Sequence, residues 1–210
     1  MVRHGTTPST GKILPGRAPG LDLADAGRTQ AEVVAQRLAD WSAPTAASGG
    51  KTKIAAVYAS PLERTRQTAA PIASALGLRV KVDRGLLECD FGEWTGAELK
   101  KLMKLPEWAT VQRYPSGFRF PGGESFRAMQ TRMVTTVCAL AGNHPGQTVV
   151  AVSHADPIKA AVADALGSHL DLFQRIVISP CSVTAINYGP TGPTVVTVNS
   201  MSALTELVPS

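Results

Sequence analysis

The sequence is poor in cysteine, in aromatic residues and in charge, and it has no long hydrophobic run. Its three cysteines, Cys89, Cys138 and Cys181, are widely spaced and include no C-x-x-C pair, which argues against a disulfide framework or a zinc site. No apolar run approaches the roughly 18 residues that a membrane span needs. The first residues, MVRH, contain no stretch typical of a signal peptide. We therefore expect a cytoplasmic protein with reduced thiols and no membrane partner.

The positive charge of the chain is modest and scattered. Its 210 residues include 21 Lys and Arg against 16 Asp and Glu, a net charge of +5, and aromatic residues make up only 5%. Proteins that bind nucleic acids typically have a stripe of basic residues with aromatic side chains among them. This chain has scattered charge and few aromatic residues, so we expect no nucleic-acid partner. A few arginines around a small anionic substrate give the same charge balance.

Strand and helix patterns alternate along the chain. Short apolar runs predict strands, which lie at residues 54–58, 80–82, 148–153, 182–188 and 194–199. Apolar spacing and capping residues predict helices, which lie at 26–41, from Ser60 to about Gly77, from Thr95 to about Leu105, at 125–141, and from about Pro157 to Leu166. This alternation indicates an α/β fold with a mostly parallel sheet covered on both faces. No repeat or linker divides the chain, so we expect one domain over residues 1–210.

The small-residue segment 42–53 is predicted to be a connector and an exposed loop. It contains GGKT at 49–52, which is similar to the end of a P-loop. The first glycine of that motif would fall at Thr45, and the segment precedes a strand instead of following one. We therefore reject nucleotide binding.

Chemically active side chains follow the predicted strands. In open α/β sheets the carboxyl ends of the strands carry the active groups, so these side chains are expected to share one mouth. The residues concerned are Arg3, His4, Arg64, Glu88 and His154. Each of them alone has an ordinary structural explanation, and only their joint occurrence favours a site.

This set suits phosphoryl transfer without a metal. The two arginines can fork onto the oxygens of a phosphate monoester, while a neutral His4 attacks the phosphorus. Gly5 would let the backbone approach the phosphate closely. Glu88 can protonate the leaving alkoxide and then activate water, and a protonated His154 would donate to the transferring oxygens.

Six motifs in order resemble those of the histidine phosphatase superfamily, which includes the cofactor-dependent phosphoglycerate mutases. They are RHG at 3–5, an L-x-x-x-G-x-x-Q-A helix start at 23–31, SPLERTRQT at 60–68, LECDFGEWTG at 87–96, PGGES at 121–125 and VSH at 152–154. The segments GRAPG at 16–20 and FQRI at 173–176 are similar to those of an actinobacterial branch of phosphatases and phosphomutases.

The resemblance implies a three-layer α/β/α sandwich in which His4 accepts the phosphate and Glu88 is the proton donor. Arg3, Arg64 and His154 would complete the phosphate pocket. No metal or organic cofactor is implied for phosphatase members of the family.

Three positions depart from the family pattern. Only Met1 and Val2 precede the RHG motif, so the central strand is expected to be truncated. Thr10 stands where many members have a phosphate-contacting asparagine, and its hydroxyl offers one donor. Ala155 replaces a glycine, and its methyl group would crowd the phosphate if this position needs a positive φ.

These observations favour a phosphatase acting on a small phosphorylated metabolite. A phosphoglycerate mutase-type transfer is the first alternative, although only 66 positions separate Glu88 from His154, which favours hydrolysis. A non-catalytic phosphate-binding protein is the second alternative. We expect residues 105–120 to cap the pocket, where Arg113 and Arg119 would be placed to read a second anionic group. Exposed strand edges near the C-terminus would allow a homodimer.

Overall fold

The computed structural model describes residues 1–43, 53–202 and 204. Residues 44–52, which hold most of the expected connector and the P-loop-like glycines, lie outside the described residues. No helix in the described part of the chain is long and apolar enough to cross a membrane.

A mixed sheet of six strands forms the centre of the described structure. The strands are β1 (Val2–Arg3), β2 (Ile54–Ala59), β3 (Val80–Val82), β4 (Thr148–Ser153), β5 (Val183–Gly189) and β6 (Gly192–Ser200). Their order across the sheet is β3-β2-β4-β1-β5-β6. Strands β3, β2, β4 and β1 are parallel, whereas β5 runs antiparallel to both β1 and β6. The prediction of a mostly parallel sheet is therefore confirmed.

Helices cover both faces of this sheet. They are α1 (Asp25–Ser42), α2 (Glu63–Ala75), α3 (Leu99–Leu102), α4 (Glu107–Arg113), α5 (Phe126–Gly142) and α6 (Ala155–Ala165). On one face, Val34 of α1 and Ile72 of α2 are buried against Val152. On the other face, Met133 of α5 and Ile158 of α6 are buried in a second cluster. The two layers of helices confirm the three-layer α/β/α sandwich.

Two predicted helix starts are wrong, because neither proposed capping residue caps the helix that follows it. Helix α2 begins at Glu63 with no side-chain cap, since the Ser60 hydroxyl instead lies 3.0 Å from Nε2 of His154. The turn around Thr95 does not start a helix, because Gly96 has φ of +83° and its N–H donates to the Leu14 carbonyl over 2.8 Å. Helix α3 begins only after it.

Other predicted boundaries agree with the structure. Helix α2 ends at Ala75 and is followed by Gly77 with φ of +66°, which suits a left-handed stop at the end of a helix. Helix α5 begins after Ser125, whose hydroxyl accepts from the N–H of Ala128 over 3.1 Å. Its predicted apolar face is buried as a whole.

Strand β1 has only two residues, but it lies in the middle of the sheet. It pairs with β4 on one side and with β5 on the other. Its Val2 side chain is buried. The short strand therefore delivers the residues after it to the centre of the carboxyl edge of the sheet.

Candidate active site

The predicted site residues follow strand ends that lie side by side. His4 comes directly after β1, and His154 comes directly after its parallel neighbour β4. Arg64 is the second residue of α2, which follows β2, and Glu88 follows a single-turn 3-10 helix after β3. Parallel packing of the four strands therefore directs these positions to one edge.

Three distances show that these side chains share one site. Nε of Arg64 lies 3.3 Å from Nε2 of His4, and the rings of His4 and His154 have centroids 5.2 Å apart. Oε2 of Glu88 is 4.0 Å from Nδ1 of His154. Arg3 lines the same cavity as His4 and Glu88. The structure thus brings together all five residues that the strand-end argument selected.

The hydrogen bonds of His4 select one tautomer of its ring. Nδ1 lies 2.7 Å from the carbonyl oxygen of Gly5, and a carbonyl oxygen only accepts, so Nδ1 carries the hydrogen. Nε2 accepts from Nε of Arg64 and therefore carries the lone pair. This is the nitrogen that a nucleophilic histidine needs to keep unprotonated.

Electrostatics keep the His4 ring neutral. Burial and the neighbouring Arg64 guanidinium lower the pKa of His4 to about 3, despite the opposing effect of the hydrogen bond to Gly5. Protonation of the ring would place a third positive charge beside Arg64 and Arg3. The nucleophilic form of His4 is therefore the stable form at neutral pH.

Both arginines retain buried N–H groups without a partner. Arg64 is fully buried; its Nη2 donates to the Gly16 carbonyl over 2.8 Å, but its Nη1 has no partner. Arg3 donates through Nη1 to the Ile178 carbonyl over 2.6 Å, whereas its Nε has no partner. Buried charged donors are costly to leave unsatisfied. An anion beside His4 would supply the missing acceptors.

Glu88 is a buried carboxyl with a raised pKa. Burial and the negative charge of Asp156 raise its pKa to about 7, although Arg64, the Cys89 N–H and Arg3 act in the opposite direction. The Cys89 N–H donates to Oε1 over 2.9 Å, and the other carboxyl oxygen, Oε2, faces His154. A carboxyl with this pKa can give and take a proton near neutrality.

His154 is fully buried, and one of its ring nitrogens has no partner. Its Nε2 lies 3.0 Å from the Ser60 hydroxyl, and Nδ1 is the unpartnered nitrogen. Burial and Arg64 lower its pKa well below the ordinary value, which favours the neutral ring over the protonated His154 expected from the sequence. When Ser60 donates to Nε2, the neutral ring still keeps a hydrogen on Nδ1 as a donor.

A small cavity of about 160 Å³ opens at these residues. Drug-sized ligands occupy pockets of roughly 300–1,000 Å³, so this cavity suits a smaller molecule. Its lining residues are Arg3, His4, Thr7, Ser9, Thr10, Gly11, Ile13, Leu14, Pro15, Glu88, Phe91, Leu99, Ala155 and Asp156. Among the described residues, no three His, Cys, Asp or Glu side chains form a group that would hold a metal ion.

The other predicted binding residues differ in their placement. Thr10 and Ala155 line the cavity. The Thr10 hydroxyl accepts from the Thr7 N–H over 2.9 Å. Ala155 is the first residue of α6, and its backbone has no positive φ. Its methyl group therefore causes no backbone strain.

Gly5 has a packing role in the structure. Its N–H donates to the Thr68 hydroxyl over 3.0 Å and is thus already bonded within the protein. A Cβ at this position would lie 2.5 Å from the Gly27 carbonyl oxygen of α1. Glycine is needed here for close contact between the backbone and a helix, because any larger residue would separate them.

The segment 105–120 does not cap the cavity, contrary to expectation. None of its residues lines the cavity in the described part of the chain. Trp108 and Phe118 instead pack into an aromatic cluster with Trp94. Arg119 donates to the Gly123 carbonyl over 3.1 Å. Half of the lining residues come instead from the segment 7–15 after β1.

A charged network lies behind Glu88 and was not predicted from the sequence. Arg17 and Arg132 both donate to the carbonyl oxygen of Glu88, over 2.8 and 3.3 Å. Both also bind Oε2 of Glu124 over 3.0 Å. Arg132 reaches the Leu87 carbonyl as well, over 2.9 Å. Two guanidinium groups and one carboxylate thus fix the backbone that carries Glu88.

Comparisons with known proteins agree with this arrangement. Residues 1–201 match the family described as the histidine phosphatase superfamily, branch 1. The chain is 32% identical over 177 residues to phosphoserine phosphatase 1 of Hydrogenobacter thermophilus, covering 82% of this chain and 79% of that protein. It is also 33% identical to a bifunctional protein of Mycobacterium tuberculosis, but it spans only 49% of that longer protein.

Solved structures show the same fold. A mycobacterial glucosyl-3-phosphoglycerate phosphatase superposes with a TM-score of 0.81, covering 95% of this chain and 97% of the other, at 24% identity. YhfR of Bacillus stearothermophilus superposes with a TM-score of 0.83, covering 97% and 96%, also at 24% identity. At this level of identity the likeness concerns the fold.

Proposed function

Because the chain belongs to the histidine phosphatase superfamily, we propose that it hydrolyses a small phosphate monoester through a phosphohistidine on Nε2 of His4. The observation that carries this proposal is the neutral tautomer of His4, whose Nδ1 is bonded to the Gly5 carbonyl while Nε2 keeps its lone pair. A phosphatase named for phosphoserine and a structural neighbour named for glucosyl-3-phosphoglycerate support phosphatase chemistry.

In the first step, Nε2 of His4 attacks the phosphorus and the bond from phosphorus to the ester oxygen breaks. Arg3 and Arg64 supply the positive charge and the unpartnered N–H groups that hold the phosphoryl oxygens. Glu88, whose raised pKa of about 7 keeps a large fraction of the carboxyl protonated near neutral pH, gives its proton to the leaving alkoxide. The products of this step are a free alcohol and the phosphohistidine.

In the second step, water attacks the phosphohistidine. Glu88, now ionised, accepts a proton from this water as the new bond to phosphorus forms. The bond between phosphorus and Nε2 breaks, and inorganic phosphate leaves. His4 returns to the neutral tautomer, because the Gly5 carbonyl keeps Nδ1 protonated throughout.

Hydrolysis and mutase-type transfer share the first step and differ in the acceptor of the phosphoryl group. We favour water as the acceptor, because a mutase has to keep its phosphohistidine away from water, and the chain between Glu88 and His154 is short. Incubation with 3-phosphoglycerate, glycerol phosphate and p-nitrophenyl phosphate, with phosphate release and phosphoglycerate isomerisation measured in parallel, tests this directly. Phosphate release with no isomerisation is expected, and isomerisation as the main reaction would contradict it.

The His4→Ala variant tests the role of the nucleophile. It should release no phosphate from any of these esters, since the lone pair that attacks is gone. His169 is an exposed histidine far along the chain that lines no part of the cavity, and His169→Ala is the matched control with unchanged turnover. Full phosphate release by His4→Ala would reject the proposed function.

A further inference from the structure

Beyond the phosphate-binding side chains, the cavity is lined by apolar side chains, hydroxyl groups and two carboxyl groups. Resting on the proposed function, we propose that the favoured substrate is the phosphate ester of a small alcohol without a carboxylate. Phosphoglycerates and phosphoserine would then be poor substrates, whatever the names of the relatives. The apolar wall, the neutral hydroxyl groups and the two carboxyl groups of the cavity together carry this inference.

Apolar side chains form one side of the wall. They come from the segment after β1, from the segment after Glu88 and from α3, namely Ile13, Leu14, Pro15, Phe91 and Leu99. Backbone bonds hold this wall in place, since the Leu99 N–H donates to the Lys12 carbonyl over 2.9 Å and the Leu14 N–H donates to the Ala97 carbonyl over 2.9 Å. A substrate carboxylate placed against such a wall loses its hydration and gains no partner.

The polar part of the wall is neutral, and its groups already bond to one another. The Thr7 hydroxyl lies 3.1 Å from the Ser9 hydroxyl and 3.0 Å from the Thr10 hydroxyl. Both Thr7 and Ser9 are buried. Such hydroxyl groups can exchange hydrogen bonds with a substrate hydroxyl, but they carry no charge to balance a carboxylate.

The ionisable groups of the cavity other than Arg3 and His4 are acidic. Glu88 and Asp156 both line it, and burial together with the negative charge of Asp156 raises the pKa of Glu88. Lys159 is bound to Asp156 over 3.2 Å and to the Gln174 side chain over 3.1 Å, and it is not among the lining residues of the described chain. A second anionic group on the substrate would lie beside the Asp156 carboxylate, and a protonated Glu88 offers it no balancing positive charge.

The arginines that could read a carboxylate lie elsewhere or are occupied. Arg3 is the single arginine among the lining residues of the described chain, and the phosphate needs it. Arg17 is bound to Glu88 and Glu124, and Arg119 is bound to the Gly123 carbonyl. Lys12 is exposed and lies between the lining residues Gly11 and Ile13 in the chain, so a variant at this position is included in the experiment.

The experiment compares substrates that differ only in the carboxylate. Glycerol 1-phosphate matches 3-phosphoglycerate except that a hydroxymethyl group replaces the carboxylate, and phosphoethanolamine is phosphoserine without its carboxylate. We expect kcat/KM to be higher by roughly tenfold or more for the ester without carboxylate in each pair, as one unbalanced charge at a partly buried site implies. Equal or higher kcat/KM for the carboxylates would overturn the inference.

Two variants add independent outcomes. Ile13→Arg places a cation on the wall at a position that is 37% exposed, and it should raise kcat/KM for 3-phosphoglycerate relative to glycerol 1-phosphate by about fivefold. Lys12→Ala should leave both ratios unchanged. A selective loss of activity on the carboxylates in Lys12→Ala would show that Lys12 binds them and would also overturn the inference.

Hydrolysis of p-nitrophenyl phosphate distinguishes failure of the substrate inference from failure of the proposed function. If this ester is hydrolysed and the carboxylates are preferred, the substrate class is wrong while the proposed function stands. If neither p-nitrophenyl phosphate nor any member of the two pairs is hydrolysed by the wild-type chain, the proposed function itself is wrong.

Discussion

The guanidinium of Arg64 donates through Nε to Nε2 of His4, the ring nitrogen that bears the lone pair, over 3.3 Å. This bond orients the imidazole before substrate arrives, and together with burial the guanidinium keeps the ring neutral by lowering its pKa. The same side chain is anchored by the Gly16 carbonyl, so its position does not depend on the ligand. Arg64 thus acts on both the geometry and the charge of the nucleophile.

Arg64→Lys is therefore expected to be a severe change. Lysine keeps the positive charge but loses the planar fork that reaches His4 and Gly16 together. We expect kcat/KM for p-nitrophenyl phosphate to fall about 10- to 100-fold, the range for the loss of a charge-assisted hydrogen bond. Arg66 lies on the same helix with an exposed side chain, and Arg66→Lys should have wild-type kinetics. Equal activity of the two variants would contradict this role of Arg64.

The raised pKa of Glu88 predicts how activity depends on pH. The protonated carboxyl is the acid that an alkyl phosphate requires, so kcat/KM should fall as pH rises through about 7. Asp156→Asn removes the charge that raises this pKa, so the alkaline limb of the profile should move to lower pH. Glu93→Gln, at an exposed position nearby in the chain, should leave the limb in place. A limb that stays unchanged in Asp156→Asn would contradict the assignment.

The network behind Glu88 predicts a loss of turnover with little loss of binding. Arg132→Lys keeps the charge but cannot reach the Glu88 carbonyl, the Leu87 carbonyl and the Glu124 carboxylate at once. We expect kcat to fall roughly tenfold, because a proton donor is sensitive to displacements of about 1 Å, while KM changes little. Arg127 on the same helix donates to the Ser116 carbonyl, and Arg127→Lys is the matched control. A rise in KM at constant kcat would reject this positioning role.

Gly5 provides a test of the packing of the site. Gly5→Ala should lower the free energy of unfolding by roughly 1–3 kcal/mol, because its Cβ would clash with the Gly27 carbonyl oxygen. A Cβ at Gly142, at the end of α5, would meet only open space, so Gly142→Ala should be neutral or stabilising by up to about 1 kcal/mol. Urea unfolding monitored by circular dichroism measures both. Equal stability of Gly5→Ala and the wild type would show that this close contact is not required.

The catalytic side chains could be predicted from the sequence because parallel strands bring their carboxyl ends together. His4, Glu88 and His154 each follow a strand, and the topology of the sheet alone places them at one edge. The apolar face of α5 was also predicted, because helical periodicity is a local property of the sequence. These features need no knowledge of side-chain partners.

Features that depend on distant partners could not be predicted in this way. The Ser60 hydroxyl bonds to His154 instead of capping α2, although its local sequence is that of a helix cap. Arg132 lies within a helix and follows no strand, so nothing near it in the sequence indicates that it holds the Glu88 carbonyl. Segment 105–120 is expected to cap the pocket, but Phe118 packs against Trp94, and this contact between residues distant in sequence has no local signal.

The measurement that tests the proposed mechanism most directly is the identification of the phosphorylated residue. The enzyme is mixed with a ³²P-labelled phosphate monoester, the reaction is stopped rapidly without acid, and the labelled residue is identified after alkaline digestion. Phosphohistidine is stable in alkali, so the label survives the digestion. We expect the label on Nε2 of His4. Label on another residue, or full turnover with no label on His4 at any quench time, would contradict the account.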